Sequence, residues 1–345
     1  MSMKKVALLL LIVTSYVAEA VDINPYANAI LRYENEVEHD FFRDRERLRL
    51  IARAGIDVKF NETWSTRIGL RTGLKNRQNV PAITIARFTE QRQPPNDIFI
   101  DRFYITGKFD NLKLNIGKIP WGTKQVSDIF WDRDLNPQGV HLDYTLDKND
   151  TFSVAHFAPL DGATNTIGQM SIAQWQHKLK IKDWQWTIAP WLVNYNGQAD
   201  ADFARRDTAI DNRFVRLSTF IKKGAWQFGL DLGRSIESFD QFTDQGFDDQ
   251  KNSVVAEIKH GNLKQVGNYQ WHVRFLRVER FAVITEFAQN ATSPVDTANT
   301  QGFDLRLRRK MGKKWWLGTR FSQLQRLVGL QEEGIRFRIE ARYDF

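Results

Sequence analysis

Arginine recurs at every second position near both ends of this chain. In RLRLIARAGIDVKF, Arg47, Arg49 and Arg53 alternate with Leu48, Leu50, Ala52 and Ala54. Arg67 and Arg71 repeat the spacing, Arg32 precedes them, and the terminal GIRFRIEARYDF adds Arg336, Arg338 and Arg342. A guanidinium stays charged at any working pH and offers a planar fork of donors, so rows of them can attract anions. A second stretch, PWGTKQVSDIFWDRDLNPQ, carries Asp128, Asp132 and Asp134 among Trp121, Phe130 and Trp131. Carboxylates placed opposite the arginines would set up a transverse field that orients dipolar solutes and favours anions overall.

Signs of catalysis are weaker. His141 and Asp143 lie two apart, on one face of an extended strand, with no serine or second acid spaced to complete a constellation. The six histidines are scattered with no pair at metal-ligand spacing, and no glycine loop of the phosphate-cradling kind occurs. Cysteine is absent, so there is no disulfide framework and no thiolate metal site. The sequence therefore predicts no enzyme, no metal and no cofactor.

Strands must position these groups, because the periodicity is two. From Arg47 to Phe60 the even positions are apolar and most odd ones are charged or polar. The same pattern returns in sixteen segments between 28 and 345, beginning with the weaker NAILRYENEV, where Leu31, Tyr33 and Val37 oppose Arg32, Glu34 and Glu36. Connectors alternate in length. Short turns lie near 61–63, 110–111, 147–150, 182–183, 223–224, 261–267 and 310–313; long loops lie near 74–97, 120–138, 159–169, 196–211, 236–250, 279–300 and 325–332. Aromatic residues gather beside the short turns, among them Phe60, Trp64, Phe109, Trp184, Trp186, Trp226, Tyr269, Trp271, Trp315, Tyr343 and Phe345. One-sided tight turns and a girdle of rings at the same level predict an all-β fold: a closed antiparallel transmembrane barrel of about sixteen strands. Its short turns would be periplasmic and its long loops extracellular.

Lys4 and Lys5, the run VALLLLIV and the triplet Ala18-Glu19-Ala20 read as a signal peptide over residues 1–20, leaving 21–345 as the barrel. Removing it takes two lysines and one glutamate from a chain of net charge +8, leaving +7. The basic residues recur inside strands rather than in a tail or on a helix face, so no nucleic-acid partner is expected. Turning Arg336, Arg338 and Arg342 to hydrocarbon would cost roughly 2–4 kcal/mol each near the midplane, which fixes the charged face inward. Alternation then places roughly twenty basic and about seven acidic groups inside. The arginines of the first three strands and the last should form one continuous wall with solvated heads, since the last strand pairs with the first.

The segments IDRFYITGKFDNLKLNIGKIPWG, DIFWDRDLNPQGVHLDY and RERLRLIARAGIDVKFNETWSTRIGLRTG resemble the "Putative porin" family of Gram-negative outer membranes. The resemblance implies a channel in outer-membrane lipid, a homotrimer, and insertion by the outer-membrane assembly machinery, for which Tyr343 and Phe345 would supply the C-terminal signal. The function expected is a water-filled channel for small hydrophilic solutes, with an anion preference set by the arginine wall and the loop 120–138 folded inward. Alternatives are a substrate-specific channel for phosphate, other anions or oligosaccharides, a plugged structural barrel, and a barrel hydrolase. Tyr104, Trp191, Phe214 and Trp316 would be the stacking track of a sugar channel.

Overall fold

The computed structural model describes residues 21–37, 44–74, 80–89, 96–159, 166–197, 210–289 and 296–345. The expected signal peptide lies outside the described residues, as do parts of the loops 74–97, 159–169, 196–211 and 279–300. In chain order the strands are β1 Asp22–Val37, β2 Arg45–Lys59, β3 Trp64–Gly73, β4 Ile83–Arg87, β5 Asp97–Phe109, β6 Leu112–Lys118, β7 Gln138–Thr145 and β8 Asp150–Ala158. They continue as β9 Gln169–Ile181, β10 Trp184–Asn196, β11 Asn212–Lys223, β12 Trp226–Ser235, β13 Asn252–Gly261, β14 Tyr269–Val278, β15 Thr300–Gly312, β16 Trp315–Arg326 and β17 Glu333–Asp344. All pairings are antiparallel, and β1 pairs with both β2 and β17, so the sheet closes. Closure leaves no free edge, the condition for strands to cross a bilayer.

Sixteen of these strands form the barrel wall. The exception is β4, which lies within the expected loop 74–97 and was missed because five residues are too few to show a convincing period. It pairs with β2 at Arg47–Leu50, beyond the end of the shorter β3. Backbone groups of β2 that β3 does not reach find their partners there. The first strand also begins at Asp22, six residues before the alternation becomes visible, with Asp22 opposite Lys59.

Tight hairpins set the register on one side. Two-residue connections join Phe109 to Leu112, Ile181 to Trp184 and Lys223 to Trp226. Asp110, Lys182 and Gly224 take the left-handed conformation that such turns require, with φ of 40°, 54° and 56°. The first strand starts and the last strand ends on this side, with Asp22 opposite Lys59 and the Phe345 amide donating to the Ala27 carbonyl at 3.0 Å.

The two faces of the wall then separate. Outside, Leu31, Leu70, Ile105, Val154, Leu192, Val215, Phe275, Leu305 and Ile339 stand exposed in an apolar belt. Beside the short turns a ring of aromatics rims the belt, with Trp64 edge-on to Phe109 at 5.3 Å, Trp226 to Trp271 at 5.6 Å and Tyr343 to Phe345 at 4.9 Å. Inside stand the charged residues. An exposed belt of this kind is stable only against lipid.

Candidate functional site

The arginines are brought together where the chain closes on itself. On β1 the even positions Arg32, Glu34 and Glu36 face inward, opposite Glu340, Arg338 and Arg336 of β17 and Arg49, Arg47 and Arg45 of β2. Glu34 pairs with Arg47, with Arg49 at 3.1 Å and with Arg338; Glu36 pairs with Arg45, with Arg47 at 3.1 Å and with Arg336 at 2.7 Å. Glu340 holds Arg32 at 2.8 Å and Arg306 at 2.9 Å. The expectation of solvated heads is therefore corrected. Arg47, Arg49, Arg336 and Arg338 are all less than a tenth exposed, and Glu34 and Glu36 are fully buried. Guanidiniums so crowded need intervening carboxylates, and the closed register supplies them. Arg67 pairs with Asp57, and Arg342 with Asp344 at 2.7 Å, both nearer the short turns.

The segment 119–137 between β6 and β7 packs on the inward face of the far wall. Ile129, Phe130 and Trp131 are buried. Phe130 meets Trp191 of β10 at 5.0 Å and Phe214 of β11 at 5.2 Å, both edge-on, and Trp131 stacks on Trp121 at 4.5 Å. Val126 lies where a Cβ on Gly229 of β12 would come within 2.6 Å of it, so that inward glycine makes room for the segment. At its return, Asp134 meets Arg53 at 2.6 Å and Arg71 at 3.4 Å, and its backbone carbonyl accepts from Arg71 at 2.8 Å. Carboxylate and arginine wall thus touch rather than face each other across a gap.

A second segment joins it, contrary to the expectation that 279–300 is a long extracellular loop. Phe281, Ala282, Val283, Ile284, Phe287 and Ala288, after β14, are all buried. The Asp132 amide donates to the Phe287 carbonyl at 2.8 Å, and the Trp131 and Phe287 rings lie 5.1 Å apart. Arg216 of β11 ties both segments to the wall. It pairs with Asp231 at 3.1 Å, donates to the Ala282 carbonyl at 3.2 Å and lies 4.3 Å from the Phe130 ring centre. The signal was present as the apolar run FAVITEFA, which lacks the alternation of a wall strand and is out of place in a loop facing water.

The carboxyls of the three acidic residues are shifted in different directions for reasons of position. Burial pushes the Asp128 carboxyl up, but Arg133 at 2.6 Å, with Arg274 and Arg320, outweighs burial and holds it at about 2. Burial is also opposed at Asp134, where Arg53 and Arg71 bring the carboxyl below its ordinary value. Asp132 is raised well above the ordinary range by burial, then by the adjacent charges of Asp134 and Asp128. Its Oδ1 accepts from the Asp134 amide at 2.9 Å.

Other candidates resolve differently. Trp191 and Phe214 are covered by Phe130, and Trp316 is buried beside Arg306 and Arg308, so with Tyr104 they form no open stacking track. Ser153 does approach His141 and Asp143, but it donates to Asp143 at 2.6 Å, and Asp143 Oδ1 lies 3.5 Å from His141. The carboxylate sits between the other two, whereas an activated serine requires the imidazole there.

Residues 17–186 match the sequence model of the family described as "Putative porin". No curated protein matches the chain. Among solved structures it is similar to OprB of Pseudomonas putida, at 7% identity and a TM-score of 0.60, covering 94% of each chain. OccAB4 of Acinetobacter baumannii shares 10% identity at a TM-score of 0.55, over 94% of this chain and 98% of that one. The porin of Rhodopseudomonas blastica shares 8% at 0.53, over 94% and 100%. At such identities the likeness is one of fold.

Proposed function

We propose, from the premise that this chain is a barrel of the Gram-negative outer membrane carrying the "Putative porin" family pattern over residues 17–186, that it conducts small hydrophilic solutes passively and favours anions. The observation that carries the reading is the division of the wall: an apolar belt outside, and inside a charged surface crossed by the segment 119–137. Buried charge and water-accessible charge on one inner face are tolerable only beside water. In this reading the segment 119–137, with Asp128, Asp132 and Asp134, and the segment 279–289 narrow the passage. Arg32, Arg47, Arg49, Arg53, Arg67, Arg71, Arg336, Arg338 and Arg342 line one side of it as a carboxylate-laced wall. The basic excess supports anion preference: around Glu34, Glu36 and Glu340, seven guanidiniums (Arg32, Arg45, Arg47, Arg49, Arg306, Arg336 and Arg338) share three carboxylates.

The narrowing by two segments favours a second reading, a channel selective among small solutes rather than a general one. A homotrimer, with Tyr343 and Phe345 read by the assembly machinery, belongs to the same proposal. The test is swelling of proteoliposomes containing the purified protein in isotonic sugars, amino acids and organic anions of graded size. Rapid swelling with the smallest solutes and a steep size cut-off are expected; no swelling with any solute from correctly folded protein would overturn the channel reading.

A further inference from the structure

The interior carries two kinds of cation, and they differ in what holds them. The arginines of the β17–β1–β2 seam are locked to carboxylates and buried. The lysines of one inner row near the short turns are not, although Lys59 beside the turn 61–63 pairs with Glu62. Cross-strand register sets one inner row as Lys180 of β9, Gln185 of β10, Lys222 of β11, Gln227 of β12 and Lys259 of β13, each opposite the next. The row contains no carboxylate. Lys180 and Lys222 are exposed and Lys259 half-buried, and none of the three makes an ion pair among the described residues. Lys178, one inward step from Lys180, is also exposed and without an ion pair there.

Two further features crowd charge onto the same level. The segment 119–137 brings Lys124 down over the Phe220 ring at 4.9 Å, where burial lowers its pKa and the ammonium groups of Lys222 and Lys178 lower it further. Further round the wall, Lys108 of β5 and Lys113 of β6 stand directly opposite each other on adjacent strands. Asp143, the next residue along from Lys113, is engaged by Ser153 instead. Like charges directly opposite on adjacent strands are destabilising, so such pairs persist only where something compensates. Lys108 and Lys113 also line a recess of about 280 Å³ with Lys59, Tyr104, Thr106 and the ion pair of Arg67 with Asp57.

We propose that this lysine collar at the short-turn mouth, and not the arginine seam, is where a passing anion makes direct contact and is selected over cations. The ligand class is the small carboxylate or inorganic anion. Lysine heads on flexible stems can follow a moving ion, whereas a buried guanidinium already held by glutamate supplies only a background field. The inference rests on the channel reading and refines it.

The experiment is the chloride-to-potassium permeability ratio of the full-length protein in planar bilayers, taken from reversal potentials in a KCl gradient. It is measured for wild type, Lys178→Gln/Lys222→Gln and Lys108→Gln/Lys113→Gln. Water-facing lysines are replaceable without unfolding, and resistance to heat in SDS verifies the fold; the single variants Lys222→Gln and Lys113→Gln serve if a double variant fails to fold. A several-fold fall in the ratio in the lysine variants is expected. Folded, conducting variants with the wild-type ratio would overturn the collar and leave the channel intact. Folded wild type that conducts nothing would overturn both.

Discussion

Single residues in this interior are set by who shares their burial. Glu34 is in contact with three guanidiniums and is itself fully buried. Replacing it by glutamine leaves those charges facing one another, and breaking a buried pair of this kind costs about 3–5 kcal/mol. Glu34→Gln should therefore unfold at a clearly lower temperature in the heat-modification assay; an unchanged transition would mean the seam is hydrated and the ion pairs contribute little. Asp132 makes a pH prediction of definite sign. Because its folded pKa is raised, the unfolded chain ionises first as pH rises above about 4, and stability is lost until the raised value is passed. Asp128 and Asp134 act oppositely: their contribution is present above about 4 and is lost as pH falls. Docking of the segment should thus weaken as pH rises from about 4 towards the raised Asp132 value, by at most about 1.4 kcal/mol per pH unit, and Asp132→Asn should abolish that decline. Thermal unfolding followed by tryptophan fluorescence would read it, and equal slopes in both proteins would refute it.

At the scale of elements, legibility followed the range of the physics. Wall strands and tight turns were readable because a period of two and a left-handed turn residue are local properties, as at Arg47–Phe60 and Asp110. Carboxylate pairing was not, since Glu34 and Arg338 are 304 residues apart and meet only through closure of the barrel. Neither was β4, whose place is defined by the unequal lengths of β2 and β3. The inward segments were half readable: tryptophans in an acidic loop pointed to burial of 120–138, while FAVITEFA was passed over. Arg216 joins both segments to the wall, so Arg216→Met should release them together. Larger and noisier single-channel currents are expected, with a stability loss of about 3–5 kcal/mol because Asp231 is left unpaired. Quiet currents of wild-type size would show that the segments are held by their apolar contacts alone.

For the whole molecule, the outer face answers to lipid and the inner face to water and charge. The register that separates them is the one that keeps Arg336, Arg338 and Arg342 out of hydrocarbon. In the proposed reading, the basic residues on the inner face make the interior attractive to anions before any specific contact is made. Dependence on salt separates the two sources of that attraction. Charges exposed to solvent are screened as the Debye length falls from about 10 Å at 0.1 M to about 3 Å at 1 M, whereas buried ones are screened much less. The most direct test is therefore the reversal potential of the wild-type protein in a planar bilayer under KCl gradients centred first on 0.1 M and then on 1 M. Steady conductance with chloride preferred at low salt, and the preference fading at high salt, is the predicted result. Cation preference at low salt would contradict the account.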